Sequence, residues 1–194
     1  ANTLLGSPLS REGICDLAAE LEGHPDNAAP AFLGGLTASF MHEGRAVAVP
    51  FSPDPAWRFV AVIPNYEVRT EEARRIVRRD IDLSAAVHTM SHAIAMVRGL
   101  ETGDEALVGA ACADVLHEPY RRTLIAEYDA MRAMALEAGA ATFFISGSGS
   151  TMIAATKSEA VAEAFVAKVR ETWPDFAARV LTVCHEGTTV TVED

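Results

Sequence analysis

The sequence predicts a protein of mixed helix and strand structure, of the α/β or α+β class. Some segments repeat apolar residues at helical spacing, whereas others are short continuous apolar runs bounded by glycine or proline. The two kinds of segment interleave along the chain. Hydrophobic residues make up 49% of the 194 residues, which is enough for a packed core, and the length suits one ordinary domain or slightly more.

Helical spacing predicts five helices. The first spans residues 10–21, where Ile14, Leu17 and Leu21 fall on one stripe. Thr70 is expected to cap the second, with Glu71 and Glu72 in a first turn that suits the helix dipole. The others are marked by Val87, Met90, Ile94 and Val97, by Leu124, Tyr128, Met131 and Ala135, and by the apolar stripe of residues 158–170.

Short apolar runs predict the strands. Residues 34–40 and 46–49 form a predicted hairpin that turns at His42-Glu43-Gly44. Further strands are expected at residues 59–63, 142–145, 152–156, 180–183 and 188–192. Three prolines within residues 50–55 indicate a domain boundary. We therefore expect domains at residues 1–55 and 56–194.

Charge and composition exclude several classes of function. The formal net charge is −11, from 16 basic and 27 acidic side chains, which argues against a nucleic-acid surface. The sequence has no run of transmembrane length and no signal-peptide pattern at its start, so no membrane partner is expected. The three cysteines lack metal-binding spacing and are typical of a reducing compartment. A cytoplasmic location is the resulting expectation.

The stretch EGHPDNAAPAFLGGLTAS, residues 22–39, combines residue types that often line active sites. Asp26 or Asn27 could simply cap a helix that starts at the following alanines. That interpretation explains neither His24 nor the Gly34-Gly35 pair, which allows another backbone or a ligand to approach closely.

Two further features leave functional and structural interpretations open. The turn ISGSGST, residues 145–151, could present backbone N–H groups to an anion or be an ordinary tight hairpin. It matches neither a nucleophile elbow nor a P-loop. Arg74 and Arg121 could each bind a carboxylate through two hydrogen bonds or be surface charges.

Four segments in the same order resemble homoserine kinases, members of the GHMP small-molecule kinase superfamily. They are GHPDNAAPAFLGGLTAS, VIPNYEVRTEEARRIV, DVLHEPYRR and GAATFFISGSGSTMIA. Ser150 stands where the family usually has proline, a change expected to loosen the turn. The family's Pro-x-x-x-Gly-Leu-Gly-Ser-Ser phosphate loop is not found in these 194 residues. The chain therefore resembles the C-terminal portion of such a kinase.

The resemblance implies a fold, a reaction and a set of partners. The fold would be α+β: part of an S5-like N-terminal domain followed by a ferredoxin-like sandwich. The reaction would be ATP-dependent phosphorylation of the side-chain hydroxyl of L-homoserine, a step of threonine biosynthesis, with Mg²⁺ as cofactor. Expected partners are L-homoserine, ATP, the N-terminal kinase segment and a second copy of the chain in a homodimer.

The resemblance also implies residue roles. His24, Asp26 and Asn27 would contact homoserine, Arg74 and Arg121 would bind its carboxylate, and Thr70 would lie near the reacting hydroxyl. Glu22 is the expected Mg²⁺ ligand, with Glu20 as second choice, because one carboxylate suffices for a cation that also binds phosphates. The substrate and the phosphates would lie against Gly147, Ser148 and Gly149.

Two alternatives stay open at this stage. The chain could belong to another GHMP kinase that phosphorylates a different small alcohol, although paired arginines favour a substrate with a carboxylate. It could instead act as a catalytically inactive binding or subunit domain. The general base is also undecided, since Asp26 could equally bind the substrate ammonium.

Overall fold

The computed structural model describes residues 1–191 and contains two compact units. Unit 1 comprises Ala1–Pro53 together with the chain from Val183 onward, and unit 2 comprises Asp54–Thr182. Helices and antiparallel sheets are both present, which confirms the α+β class. Domain boundaries at residue 55 and an S5-like origin of unit 1 stay predictions.

Unit 1 consists of two helices followed by a hairpin. Its elements are α1 (Arg11–Glu22), α2 (Ala28–Leu33), β1 (Leu36–His42) and β2 (Arg45–Phe51). Ser10 caps α1 by accepting a hydrogen bond from the Gly13 N–H at 3.1 Å. The hairpin turns at Glu43 and Gly44, both with left-handed backbone, as a tight two-residue turn requires.

The Gly34-Gly35 pair lets the C-terminal segment approach closely. The Gly35 N–H donates to the Cys184 carbonyl at 2.7 Å. A Cβ atom on Gly34 would lie 2.5 Å from the backbone nitrogen of Gly187, so only glycine fits there. In this structure the glycine pair accommodates backbone, one of the two roles that the sequence left open.

Unit 2 is built on a four-stranded antiparallel sheet with strand order β4-β5-β3-β6. Its strands are β3 (Arg58–Ile63), β4 (Thr142–Ile145), β5 (Met152–Thr156) and β6 (Ala177–Leu181). Its helices are α3 (Thr70–Arg75), α4 (Leu83–Thr102), α5 (Glu105–Ala111), α6 (Glu118–Arg121), α7 (Tyr128–Glu137) and α8 (Glu159–Thr172). With α7 and α8 as the crossovers, the order of strands and helices is that of a ferredoxin-like sandwich.

Helices cover both faces of this sheet. On one face α7 and α8 pack through a core that includes Met131, Phe143 and Phe165, each no more than 2% exposed. On the other face a smaller cluster centres on Trp57 and Val108, with α4 contributing partly buried residues. The larger core makes the sheet a rigid base for the loops at its edge.

The apolar stripe that marks α4 in the sequence does not face the sheet. Val87, Met90 and Ile94 are 53%, 59% and 73% exposed, respectively. The opposite side of the helix packs inward, where Met96 and Leu100 contact the Trp57 cluster. Helical spacing predicted the helix correctly but did not tell which face would be buried.

Three sequence expectations are wrong in detail. Arg69, not Thr70, occupies the N-cap position of α3, and Thr70 is its first residue. The predicted strand at residues 180–183 is β6, which begins at Ala177 because it pairs with β3. Residues 188–191 form no strand, and the hydroxyl of Thr188 donates to the Ala31 carbonyl at 2.8 Å; Val192 lies outside the described residues.

Two short helices, α5 and α6, were not predicted. Asp114 organises the start of α6 by accepting hydrogen bonds from the N–H groups of Leu116 at 2.7 Å, Glu118 at 2.9 Å and His117 at 3.1 Å. Burial acts to raise the pKa of Asp114, but these bonds and the nearby His117 outweigh it and lower the pKa.

Among residues 1–191, no helix combines the length and the apolar character needed to cross a bilayer.

We expect the Asp114 cap to contribute stability only while its carboxyl is ionised. Because the folded-state pKa is lowered, this contribution is present above the unfolded pKa of about 3.9 and is lost as the pH falls through the folded value. Asp114→Asn should therefore reduce the unfolding free energy at pH 7, by about 1 kcal/mol. Denaturant unfolding of both proteins between pH 2.5 and 7 measures the difference.

Asp129→Asn is the matched control, because that carboxylate pairs with Arg122 at the surface, 3.2 Å away, where little stability is expected. A difference between Asp114→Asn and the parent that stays constant down to pH 2.5 would contradict the proposed role of the ionised carboxyl.

Candidate active site

Residues 146–151 connect β4 to β5 and are called the glycine turn below. Unit 2 brings four of the predicted site residues together at this turn. The Arg121 guanidinium donates to the Gly147 carbonyl at 2.9 Å. The hydroxyl groups of Thr70 and Ser148 lie 3.4 Å apart. Residues separated by up to 78 positions in the sequence therefore meet at one edge of the sheet.

Sheet order explains this meeting. Strand β5 pairs antiparallel with β3, and Val62 near the end of β3 lies opposite Met152 at the start of β5. The turn that precedes β5 must therefore lie beside the segment that follows β3. That segment leads directly into α3, whose first residue is Thr70.

A cleft of about 550 Å³ lies along this segment and the turn. Its lining includes Thr70, Ser148 and Gly149, three of the predicted residues. A cleft of this size is within the range of small-molecule sites. Another cavity of unit 2, about 360 Å³, lies beside α4 and α5 and is lined by none of the predicted residues.

The glycine turn is shaped by its two glycines. Gly147 and Gly149 both have left-handed backbone, with φ values of 58° and 86°. A Cβ atom on Gly147 would meet no other atom within 4 Å, whereas one on Gly149 would press on Ile125 at 3.0 Å. Gly147 therefore presents an open backbone surface, and Gly149 packs against the protein.

Ser150 strengthens the turn that it was expected to loosen. Its hydroxyl donates to the Tyr66 carbonyl at 2.5 Å, and the residue is only 7% exposed. The Tyr66 hydroxyl in turn donates to the Glu127 carboxylate at 2.6 Å. These bonds tie the turn to the segment between β3 and α3, which borders the same cleft.

Hydrogen bonds at both ends of α6 fix the position of Arg121. At the start of the helix, Glu118 accepts a hydrogen bond from the Tyr128 hydroxyl at 2.5 Å. Tyr128 is 1% exposed, and burial, followed by the bond to Glu118, raises its pKa. At the end of the helix, Arg121 itself reaches the Ala73 carbonyl of α3 at 3.4 Å.

Arg74 lies four residues after Thr70 on α3 and is exposed. Residues at this spacing share one face of a helix. The adjacent Ala73 carbonyl accepts from Arg121, so both predicted arginines lie along α3. Two guanidinium groups there create local positive charge in a chain with a net charge of −11.

Unit 1 brings together a second group of predicted residues. The imidazole Nδ1 of His24 contacts a carboxylate oxygen of Asp26. Asn27 occupies the N-cap position of α2, but its side chain makes no capping hydrogen bond. The helix start is therefore confirmed, whereas the amide is not used as a cap.

Glu22 is the last residue of α1 and is exposed, as is Glu20. In residues 1–191, no three His, Cys, Asp or Glu side chains are grouped so that they could hold a metal ion. A single carboxylate fits a Mg²⁺ ion that takes its other ligands from water and phosphates. It does not fit a transition metal, which needs a fuller set of protein ligands.

Sequence reasoning missed the residues that support the site, namely Asp114, Glu118, Tyr128 and Tyr66. Only Asp114 carried a usable signal, because an aspartate shortly before a His-Glu-Pro sequence is typical of a helix start with proline in its first turn. The two tyrosine–glutamate pairs join distant segments, so local patterns could not reveal them.

Comparison with known proteins identifies the family. The family description "GHMP kinases C terminal" matches residues 96–175. The homoserine kinase of Thermosynechococcus vestitus is 38% identical over 98% of this chain, and that of a Synechococcus strain is 40% identical over all of it. This chain spans 64% of the length of each of these relatives.

Solved structures agree with this result. The crystal structure of homoserine kinase from Cytophaga hutchinsonii matches with a TM-score of 0.85 at 28% identity, covering 96% of this chain and 61% of that one. A mevalonate kinase from L. major matches with a TM-score of 0.67 at 18% identity, covering 97% of this chain and 62% of that one, which shows likeness of fold alone. Residues 96–175 are thus a GHMP kinase C-terminal domain, in a chain that is similar to homoserine kinases over nearly its whole length.

Proposed function

We propose that this chain forms the amino-acid-binding part of a homoserine kinase. The reaction would transfer the terminal phosphoryl group of ATP to the side-chain hydroxyl of L-homoserine, giving O-phospho-L-homoserine for threonine biosynthesis. The observation that carries the proposal is the Arg121–Gly147 contact beside Thr70 and Ser148, in a chain 38% and 40% identical to two homoserine kinases.

In this proposal the arginines of unit 2 bind the substrate carboxylate. Arg121 donates to the Gly147 carbonyl through one terminal nitrogen, and Arg74 lies on the adjacent helix α3. A guanidinium has five N–H donors in a fixed plane, so it can keep a structural bond and still engage a carboxylate. Thr70 and Ser148 would lie near the hydroxyl end of the substrate.

Unit 1 would supply the remaining polar contacts. His24, Asp26 and Asn27 would contact the substrate, with Asp26 available to its ammonium group or as a general base. Glu22 would hold Mg²⁺, which would neutralise phosphate charge when bound. Phosphoryl transfer depends chiefly on positioning and charge stabilisation, so neither role requires covalent chemistry by the protein.

The backbone near the glycine turn would border the phosphates without replacing a phosphate loop. The Gly149 N–H is already bonded to the Ser146 carbonyl at 3.0 Å, and the Ser146 N–H to the Thr151 carbonyl at 2.9 Å. These donors are satisfied within the turn. The main contacts of ATP would therefore come from the Gly-Leu-Gly-Ser-Ser segment of the family, at the N-terminus of a helix.

The complete enzyme would act in the cytoplasm as a homodimer. Two alternatives remain: a GHMP kinase for another small alcohol, and a binding or subunit domain without activity of its own. The 360 Å³ cavity beside α4 does not favour either, because no predicted site residue lines it.

We expect the 194-residue chain by itself to lack turnover and to gain it when it is joined to the family's N-terminal segment. A coupled ADP-release assay with L-homoserine is run on the chain alone, on the chain joined to the N-terminal segment of a homoserine kinase relative, and on that segment alone as control. Activity should appear only in the joined protein, because only that protein contains the backbone N–H groups that bind the phosphates of ATP. Ordinary kinase turnover by the chain alone would overturn this expectation.

In the complete enzyme, Arg121→Lys should weaken homoserine binding. The planar guanidinium of arginine can bind a carboxylate through two N–H groups, whereas the ammonium of lysine is a point charge. A hydrogen bond to a charged group contributes about 1.5–3 kcal/mol to binding. The homoserine KM should rise by about 10-fold or more while the KM for ATP stays nearly constant. Steady-state kinetics with each substrate varied in turn measures both.

Arg122→Lys is the matched control for this variant, because Arg122 pairs with Asp129 at the surface, with both side chains about half or more exposed. Its homoserine KM should stay within about twofold of the parent. If Arg121→Lys left the homoserine KM unchanged, Arg121 would not be a substrate ligand.

A further inference from the structure

The cavity beside α4 and α5 has no role in the proposed reaction. Its volume of about 360 Å³ is within the size range of small-molecule sites. Its walls are formed by α4, α5 and strands β3, β4 and β5, all of which belong to unit 2. It shares no lining residue with the cleft beside the glycine turn. The cavity is therefore a candidate for a binding site of its own.

Much of the cavity wall is apolar and buried. Val108, Ala111 and Ala155 are buried residues of this wall, and the rings of Phe59 and Phe144 also line it. Apolar walls stabilise the hydrocarbon or aromatic part of a ligand by removing it from water. A ligand of this cavity should therefore have an apolar body.

The charged lining residues are acidic and come from the segment between α5 and α6. Asp114 and Glu118 line the cavity, whereas no lysine or arginine of the described chain does. Asp114 is occupied by the N–H groups at the start of α6. Glu118 accepts from the Tyr128 hydroxyl through Oε1, and within residues 1–191 its Oε2 makes no hydrogen bond. Glu118 thus has one negatively charged oxygen available to a ligand.

His92 offers a second acceptor. Its Nδ1 lies 2.8 Å from the His88 carbonyl, which can only accept, so the proton is on Nδ1. In the neutral imidazole the other ring nitrogen, Nε2, is then an acceptor. The neighbouring Thr89 also lines the cavity, and its hydroxyl has no hydrogen-bond partner in the described part of the chain. Buried polar groups generally have one, so this wall lacks a polar contact.

We propose that this cavity is a second small-molecule site and that its ligand is an apolar molecule with one primary ammonium group. The apolar body would lie against Val108 and Phe144, and the ammonium would donate to Glu118, with His92 as a further acceptor. An ammonium has three N–H donors and can therefore bond to more than one acceptor. An amino acid fits less well, because no lysine or arginine lines the cavity to pair with its carboxylate.

Calorimetry on the 194-residue chain tests the proposal and requires no turnover. The probes are 4-phenylbutylamine, 4-phenylbutan-1-ol and 4-phenylbutanoate, which share an apolar body and differ in the polar group. The amine should bind about 10-fold more tightly than the alcohol, because its hydrogen bond to Glu118 is charge-assisted, and the carboxylate should bind most weakly. Absence of binding by the amine, or equally tight binding of the carboxylate, would overturn the proposal.

Glu118→Gln separates the charge of this side chain from its structural bond, because the amide oxygen can still accept from Tyr128. The variant should bind the amine about as weakly as the parent binds the alcohol, with the affinity for the alcohol unchanged. Glu137→Gln is the matched control, because Glu137 is exposed at the end of α7, and it should bind all three probes like the parent. An amine affinity that Glu118→Gln leaves unchanged would contradict the assigned contact.

The native cysteines show where the amine binds in the unsubstituted chain. Cys112 lines the cavity, whereas Cys184 is exposed in unit 1. The chain is treated with iodoacetamide, and the alkylation rate at each cysteine is measured by peptide mass spectrometry. Saturating 4-phenylbutylamine should slow alkylation of Cys112 severalfold and leave that of Cys184 unchanged. An unchanged rate at Cys112 would show that the amine binds elsewhere, which would overturn the proposal.

Discussion

The hydrogen bond from the Arg121 guanidinium to the Gly147 carbonyl holds the candidate site of unit 2 together. It joins α6 to the glycine turn, and the second contact of Arg121, to the Ala73 carbonyl, joins both to α3. These three segments are far apart in the sequence and belong to different loops of the sandwich. Arg121 thereby adds to the Ser150–Tyr66 bond, which ties the glycine turn to the segment that leads into α3.

The side chains around Arg121 explain why it can hold this position. Tyr128 anchors Glu118 from the buried core of the sheet, and Asp114 fixes the backbone at the start of the same helix. Tyr66 and Ser150 perform a similar role for the turn. The site thus depends on polar contacts whose partners lie on well-packed elements, which is how binding groups are generally kept in place.

Local patterns in the sequence were sufficient to predict much of this architecture. Strands β3 to β5 are short apolar runs between turn residues, and α1 and α8 have clear serine caps, so local physics determines them. The resemblance to homoserine kinases indicated which residues to inspect, and four of those in unit 2 lie together.

What could not be predicted depends on long-range packing. Helical spacing shows that α4 has an apolar face but not that the face lies in solvent, because that depends on where the sheet ends. The sequence pattern predicts a strand at residues 188–191. In the structure the Thr188 hydroxyl instead donates a hydrogen bond to the carbonyl of Ala31 near the end of α2, 157 positions away. No local pattern in the sequence indicates either outcome.

Recognition of the carboxylate of an amino-acid substrate by Arg121 is the interaction on which the proposed function rests. Calorimetric binding of L-homoserine and of 3-aminopropan-1-ol, which lacks only the carboxylate, to the complete enzyme tests it directly. We expect the analogue to bind about 10- to 100-fold more weakly, and Arg121→Lys to reduce this difference in affinity by weakening the binding of homoserine alone. Equal affinity for both compounds, or a gap that the substitution leaves unchanged, would contradict it.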